Sequence, residues 1–404
     1  MGSGIATALI LSNVTVILKE RDPNFRGMKS IEANLKGLVK RGPLTHEKMS
    51  RALSLLKGVL DYSDFKDVDM VIEAVIENAP LKRTIFSEIE KMCSPQCILA
   101  TTTSTINLNI IGEMTNSQDR IIGAHFFSPA HLMPFLEIVR TEKTSQQVIL
   151  DLMNMGKIIK KVPILVRNCT GFAVNRTFFP YHNAAALLLH LGVDLYRIDR
   201  AIKNFGMPIG PFQLADLAGY GVASAASKAF ASTFKGRTVE TNLLNMMIQS
   251  GRNGKANGKG YYLYKRGSKP KPDPSLQTMI EESRRLANLM PNGKPISISD
   301  HEIVEMIFFP VVNEACRVVD EGIVIRTSDI DIATILGMGF PRYRGGLLFW
   351  ADTVGSSYIY SKLKGWEHEY GGSFEPSAYL KQRAMKGLPL SMGVSTLQAP
   401  VSRL

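Results

Sequence analysis

The chain has 404 residues, 45% of them apolar, enough to bury a full core and to divide into two or three domains. Its formal charge of +12 calls for an anionic partner or a solvated basic surface. Lysine and arginine are spread out, without the motifs or interleaved aromatics of a nucleic-acid platform, and no apolar stretch is long enough to span a bilayer. A phosphate-bearing small molecule accounts for part of the charge excess. Cys93, Cys97, Cys169 and Cys316 include only one close pair, so they read as reduced intracellular thiols and no metal site is expected.

The apolar start, Gly4 to Leu11, has no basic residue ahead of it and runs straight into the strand-like Val14–Leu18, which argues against a secretory leader. Ala6 stands where a myristoylation signal wants Ser or Thr. An amphipathic stretch from Lys29 to Leu60 follows, then a strand over Asp69–Glu73, a helix through Leu81–Cys93 and a strand over Cys97–Ala100. This alternation predicts a mostly parallel sheet wrapped by helices over residues 1–167.

Two apolar runs close this region. Arg120-Ile-Ile-Gly-Ala-His-Phe-Phe-Ser-Pro129 embeds His125, and Pro134-Phe-Leu-Glu-Ile-Val-Arg140 embeds Glu137. Each alone reads as a satisfied core histidine and a sheet-edge carboxylate. In adjoining strands, however, a carboxylate that fixes one ring nitrogen leaves the other free to take a proton, as a general base requires.

From Asn168 the pattern is helical throughout, and it repeats. Phe179-Pro-Tyr-His-Asn183 with Gly192 matches Phe309-Pro-Val-Val-Asn313 with Gly322. Asp199, Asp216 and Gly219 are echoed by Asp331, Asp352 and Gly355. The expected divisions are a helical domain at 168–265, a linker and helix at 266–297, a second helical repeat at 298–390 and a tail at 391–404. The linker opens with the proline-rich Lys265–Pro274, and the second copy opens on Ser299 and Glu302, spaced as a capping box. The chain ends in Ser402-Arg403-Leu404, a tripeptide of the Ser-Lys-Leu type that the peroxisomal import receptor reads.

Glu20 follows the first strand, and Gly2 stands at the head of the helix before it. In a dinucleotide-binding unit an acidic residue there holds the adenosine ribose, and a glycine there packs helix on sheet. No strand and no earlier glycines precede Gly2. Losing a central strand removes apolar side chains worth roughly 1.5–3 kcal/mol each, so the expectation is the remainder of a longer polypeptide.

The residues resemble the 3-hydroxyacyl-CoA dehydrogenase family, most closely the dehydrogenase part of plant peroxisomal β-oxidation multifunctional proteins. The likeness rests on Gly123-Ala-His-Phe-Phe-Ser-Pro129, on Gly171-Phe-Ala-Val-Asn-Arg176, on both helical repeats and on the terminal Ser-Arg-Leu. Nothing corresponds to the hydratase domain of those proteins. The implied fold is an α/β Rossmann-type NAD-binding domain lacking its first strand, followed by two all-α repeated C-terminal domains.

The resemblance implies His125 as general base, Glu137 as its orienting carboxylate, and Ser104 and Asn175 as partners of the substrate oxygen. By residue type alone, Ser104 within Thr101-Thr-Thr-Ser-Thr105 reads as a turn or cap. Gly2, Glu20, Glu77, Lys82, Ser104 and Ser128 fall at cofactor positions. Glu77 and Lys82 otherwise read as a surface pair, and Ser128 replaces an asparagine common in relatives. Asn34, Arg41 and Ser104 are placed toward the substrate, although a solvated basic helix suits the first two equally well. Ala256 falls where many relatives have lysine, with Lys255 as a possible substitute. The glycine-rich Gly251–Gly260 run suits a phosphate cradle, but it also matches the family's approach to its last tyrosine segment.

The step that carries Asn183 to Asn313 carries Asn175 to Glu305, so the second copy lacks the catalytic amide. The resemblance suggests that this copy imitates a dimer contact of single-copy relatives. The implied activity is peroxisomal, NAD-dependent oxidation of 3-hydroxyacyl-CoA to 3-oxoacyl-CoA, with Glu20 favouring NAD over NADP because a carboxylate repels a 2′-phosphate. The competing readings are a silent acyl-CoA-binding or scaffold chain and, more remotely, an RNA-binding protein.

Overall fold

The computed structural model describes residues 1–239 and 241–392, apart from the side chain of Val222. The tripeptide Ser402-Arg403-Leu404 lies outside the described residues. The chain divides into two compact units, one of Met1–Phe172 with Ile323–Ile325, the other of Ala173–Gly322 with Arg326–Leu404.

In the first unit, α1 (Gly2–Leu11) leads into β1 (Val16–Lys19), α2 (Arg26–Arg41), α3 (His46–Ser54) and β2 (Leu56–Val59). Then come β3 (Met70–Glu73), α4 (Ala79–Met92), β4 (Ile98–Thr101), the short α5 (Leu108–Ile111), β5 (Ile121–Phe126), β6 (Phe135–Arg140), α6 (Gln146–Ile158) and β7 (Val162–Arg167). The strands form a parallel β1-β2 pair and a separate five-stranded sheet ordered β3-β4-β5-β6-β7. All neighbours in the larger sheet are parallel except the β5-β6 pair. The stretch from Lys29 to Leu60 thus contains two helices and a strand. Leu56-Lys-Gly-Val59 is too short to show a period of its own and is a strand because β1 offers it a ladder.

Strand alternation sorts the core. Ile98, Ala100, Ile122, Ala124, Leu136 and Ile138 point to one face, where Ile5 of α1 and Val148 and Leu152 of α6 meet them. Leu99 and Ile121 point to the other, against Phe86 and Ile89 of α4. His125 and Glu137 fall on this second face. A methyl group on Gly123 would stand 2.7 Å from the Val139 side chain opposite, so only glycine lets β5 and β6 close up beside the histidine.

The second unit holds α7 (Val174–His190), α8 (Leu195–Phe205), α9 (Pro211–Ala218), α10 (Tyr220–Thr233) and α11 (Leu243–Gln249). A two-stranded β8 (Tyr262–Leu263) and β9 (Lys271–Pro272) interrupt the all-helical pattern expected there, followed by α12 (Gln277–Ala287). The second copy is α13 (Asp300–Asp320), α14 (Thr327–Met338), α15 (Leu347–Val354), α16 (Ser356–Tyr370) and α17 (Ala378–Lys386). Ser299 and Glu302 make the reciprocal bonds of a capping box.

The duplication is visible in hydrogen bonds. Asp199 accepts the amides of Phe212 and Gln213 at the start of α9, and Asp331 accepts those of Leu348 and Phe349 at the start of α15. A Cβ on Gly210 or on Gly346 would collide with the respective aspartate at 2.3 Å, which keeps both positions glycine. Asp216 accepts from Tyr261 and Tyr262, as Asp352 does from Leu390 and Ser391. Helices α7 and α13 both carry a proline, Pro180 and Pro310, at matching positions. Arg176 of α7 is tied to the second copy through Glu314 at 2.9 Å and Glu321 at 2.5 Å.

Candidate active site

The antiparallel register pairs His125 directly with Glu137. Imidazole Nδ1 lies 2.8 Å from Glu137 Oε2, with the residues 6% and 0% exposed. A buried carboxylate accepts, so Nδ1 carries the hydrogen and Nε2 keeps the lone pair. The rings of Phe127 and Phe172 flank the imidazole at centroid distances of 4.7 and 5.7 Å, leaving an apolar setting in which the bond to Glu137 dictates ring orientation. The two polar residues singled out in separate apolar runs are therefore brought together.

A second polar corner forms past the ends of β3 and β4. Lys82 is fully enclosed, with Nζ 2.8 and 2.9 Å from the two carboxylate oxygens of Glu73, which also accepts from Thr101 Oγ1 at 2.8 Å. The expectation of a cofactor lysine or an exposed Glu77–Lys82 pair needs correction. The principal partner of Lys82 is Glu73, and Glu77 stands farther off at 3.7 Å. Glu73 was overlooked, although a carboxylate ending the apolar run Met70-Val-Ile was the available signal.

Glu77 gathers the loop after β4. It accepts from Thr103 Oγ1 at 2.6 Å and from the amides of Ser104 and Thr105 at 3.0 and 3.1 Å. Burial pushes its carboxyl upward, but these bonds and the Lys82 charge outweigh it and hold the group below its ordinary range. Ser104 is thereby held at its backbone, with its residue half-buried.

Glu20 lies just past β1. Its Oε2 accepts from the Gly27 amide at 2.8 Å and its Oε1 from Met28 at 3.1 Å, at the start of α2. Gly2 packs on Ala74, where a Cβ would stand at 3.4 Å. Asn34 is half-buried and donates to Thr7 Oγ1 at 3.1 Å, whereas Arg41 is exposed. Ser128 is exposed in the loop after β5. Lys161, a residue the sequence did not single out, secures that loop by donating to the carbonyls of Ala130 and Met133 at 2.7 and 2.6 Å. Asn175 belongs to the second unit, half-buried in the first turn of α7. The Gly251–Gly260 segment wraps Asp216, which accepts from the Tyr261 amide at 2.9 Å, and Gly254 and Gly260 serve close packing against that aspartate. Cys93, Cys97 and Cys316 are free, buried thiols. Among the described residues no helix is long and apolar enough to cross a membrane, and no three His, Cys, Asp or Glu side chains cluster as metal ligands.

The first 169 residues match the family model of the 3-hydroxyacyl-CoA dehydrogenase NAD-binding domain. The model of the C-terminal domain of the same family matches twice, over residues 171–264 and 303–390. The peroxisomal fatty acid beta-oxidation multifunctional protein of Oryza sativa subsp. japonica is 67% identical over 99% of this chain and 55% of its own length. The chain thus spans about half the length of such curated relatives, whose names agree with the expected peroxisomal location. The 3-hydroxybutyryl-CoA dehydrogenase of Escherichia coli K12 superposes with a TM-score of 0.81 at 25% identity, covering 96% of both chains. The (S)-3-hydroxybutyryl-CoA dehydrogenase PaaH1 of Ralstonia eutropha gives 0.62 at 32% identity, over 66% of this chain and 96% of that one. With a Rossmann-like first unit and a duplicated helical second one, the chain belongs to the 3-hydroxyacyl-CoA dehydrogenase family.

Proposed function

We propose that the chain oxidises the 3-hydroxyl of an (S)-3-hydroxyacyl-CoA to the 3-oxoacyl-CoA with NAD, in peroxisomal fatty-acid β-oxidation. The observation that carries this reading is the buried His125–Glu137 pair, which presents one basic imidazole nitrogen. The 3-hydroxyl proton passes to His125 Nε2, and Glu137 stabilises the imidazolium so formed. Ser104 and Asn175 are assigned to hydrogen-bond the substrate oxygen, steadying charge as it develops. Asn34 and Arg41 are assigned to the coenzyme A portion.

The first unit suits a dinucleotide. Glu20, the Glu73–Glu77 segment and the loop at Ser104 all follow the carboxyl ends of parallel strands, the edge at which such sheets bind ligands. Each Glu20 oxygen accepts a single amide bond and retains a lone pair for a ribose hydroxyl. Glu20 would hold the adenosine ribose, with Gly2, Glu77, Ser104 and Ser128 along the remaining length and Lys82 acting through Glu73 and Glu77. What NAD supplies when bound is acceptance of the hydride.

Absorbance of reduced nicotinamide, followed with this chain and a 3-hydroxyacyl-CoA, tests the reading. His125→Gln should lower turnover by roughly 10²–10⁴-fold while substrate binding stays largely intact; an unchanged rate would remove His125 from the role of base. No turnover in the unaltered chain, with acyl-CoA still bound, would favour a silent acyl-CoA-binding chain. We also propose that Ser402-Arg403-Leu404 engages the peroxisomal import receptor. A fluorescent fusion should lose its punctate location when the tripeptide is removed.

A further inference from the structure

The turn from β3 into α4, residues 74–78, has no regular structure and little core of its own. Val75 and Ile76 are 40% and 73% exposed, so polar bonds must set its course. Glu73, the last residue of β3, accepts the Val75 amide on Oε1 at 2.6 Å. Lys82 reaches back from α4, donating to the Val75 carbonyl at 3.5 Å, with Nζ 3.7 Å from Glu77 Oε2. Glu73 Oε2 also accepts from Thr101 at the end of β4, which ties the turn to both strands.

Stability alone does not account for the Glu73–Lys82 pair. The two residues are 4% and 0% exposed, and the cost of taking both charges out of water largely offsets their attraction. Apolar residues of similar volume would serve the fold as well. What apolar residues cannot do is direct a third charged group. Glu77 accepts all four of its bonds to the loop after β4 on Oε1, from Thr103 Oγ1, the Ser104 amide and the amide and hydroxyl of Thr105. Its Oε2 faces Lys82. An ammonium has a fixed set of N–H directions, so once Glu73 engages Nζ at 2.8 and 2.9 Å the approach left for Glu77 is set. A chain of polar contacts thus runs from Thr101 through Glu73, Lys82 and Glu77 to the backbone of Ser104.

We propose that Glu73 is a positioning residue for the cofactor side of the site: by fixing the Lys82 ammonium it sets the place of Glu77, and Glu77 in turn sets the loop that carries Ser104. That this loop meets NAD rests on the dehydrogenase reading; that Glu73 holds the loop does not.

Glu73→Gln keeps the shape and removes the charge. Among the described residues Glu77 is then the one carboxylate within ion-pair reach of Lys82, and it is drawn off the loop. In the full chain, the Ser104 and Thr105 amides should exchange with deuterium roughly tenfold or more faster, with β5 as internal control, and the Kd for NADH, read from its fluorescence, should rise by a similar factor. Adding Lys82→Met removes the stranded charge, so the urea midpoint should return to that of the unaltered chain or above, while fast exchange and weak NADH binding persist. A pair that serves stability alone would restore all three together. Unchanged exchange in Glu73→Gln, or recovery of exchange along with stability in the double variant, overturns the proposal; should Glu73→Gln not fold, normal exchange in the double variant does the same. If no chain binds NADH, the unaltered one included, while exchange responds as expected, the dehydrogenase reading alone falls. Equal NADH affinity in all three chains sinks the role of Glu73 alone.

Discussion

The two helical copies keep one frame and differ in what they mount on it. In both, an aspartate after the first long helix caps a later helix, a glycine lets that helix approach, and a second aspartate ties down the segment that closes the copy. Where α7 carries Asn175, α13 carries Glu305. Residues that satisfy buried backbone amides hold the fold, because each lost bond leaves an orphan group. The face proposed to meet substrate in the first copy is under no such constraint, and there the two copies differ.

The largest test of this division is catalytic. Asn175→Ala should lower kcat by roughly 10²–10³-fold, the usual effect of losing one donor to a developing oxyanion. Adding Glu305→Asn to that variant should restore nothing. Recovery of nicotinamide reduction in the double variant would show that the copies are interchangeable.

The next test concerns the link between copies. Glu314 is buried and accepts from Arg176, Arg237 and Arg317. Glu314→Ala removes the carboxylate that three arginines share while Arg176, itself 2% exposed, keeps its bonds to Glu321, and should cost about 1.5–3 kcal/mol in denaturant unfolding. A loss below about 1 kcal/mol would mean that the network is ornamental.

The capping aspartates separate the copies more finely. Burial raises the Asp331 carboxyl from 3.8 to about 6, and Asp199 likewise. A carboxyl whose folded value is raised favours folding most when protonated. That contribution is complete below pH 3.8 and is lost as pH rises through about 6, amounting to roughly 3 kcal/mol. At Asp331 both amides reach Oδ1, so Asp331→Asn keeps its bonds and should raise stability above pH 6 while flattening the pH slope. Asp199 uses Oδ1 for Phe212 and Oδ2 for Gln213 and the Tyr262 hydroxyl, so Asp199→Asn should instead destabilise. Urea unfolding between pH 4 and 8 should show opposite signs; the same sign in both variants would discard the distinction. The smallest effect is at the capping box of α13, where Ser299→Ala should cost about 1 kcal/mol by thermal melting.

Much of the frame was legible in the sequence. Short apolar runs each holding one ionisable residue marked β5 and β6, Ser299 and Glu302 marked the start of α13, and the echo of Asn183 in Asn313 marked the duplication. His125 and Glu137 stood out because each is ionisable within an apolar run. The Glu73–Lys82 pair was not legible, since its partners sit on a strand and a later helix and meet only when α4 packs on the sheet. Leu56–Val59 escaped for a similar reason, being a strand only through its ladder with β1.

Sequence by itself determined the alternation of strand and helix, the duplicated helical frame and the residue types able to move a proton, because periodicity, capping and side-chain chemistry are local properties. Tertiary structure alone decided that His125 faces Glu137 and that Lys82 is sealed against Glu73. Register and burial come from packing between distant segments, and they set which polar atoms meet.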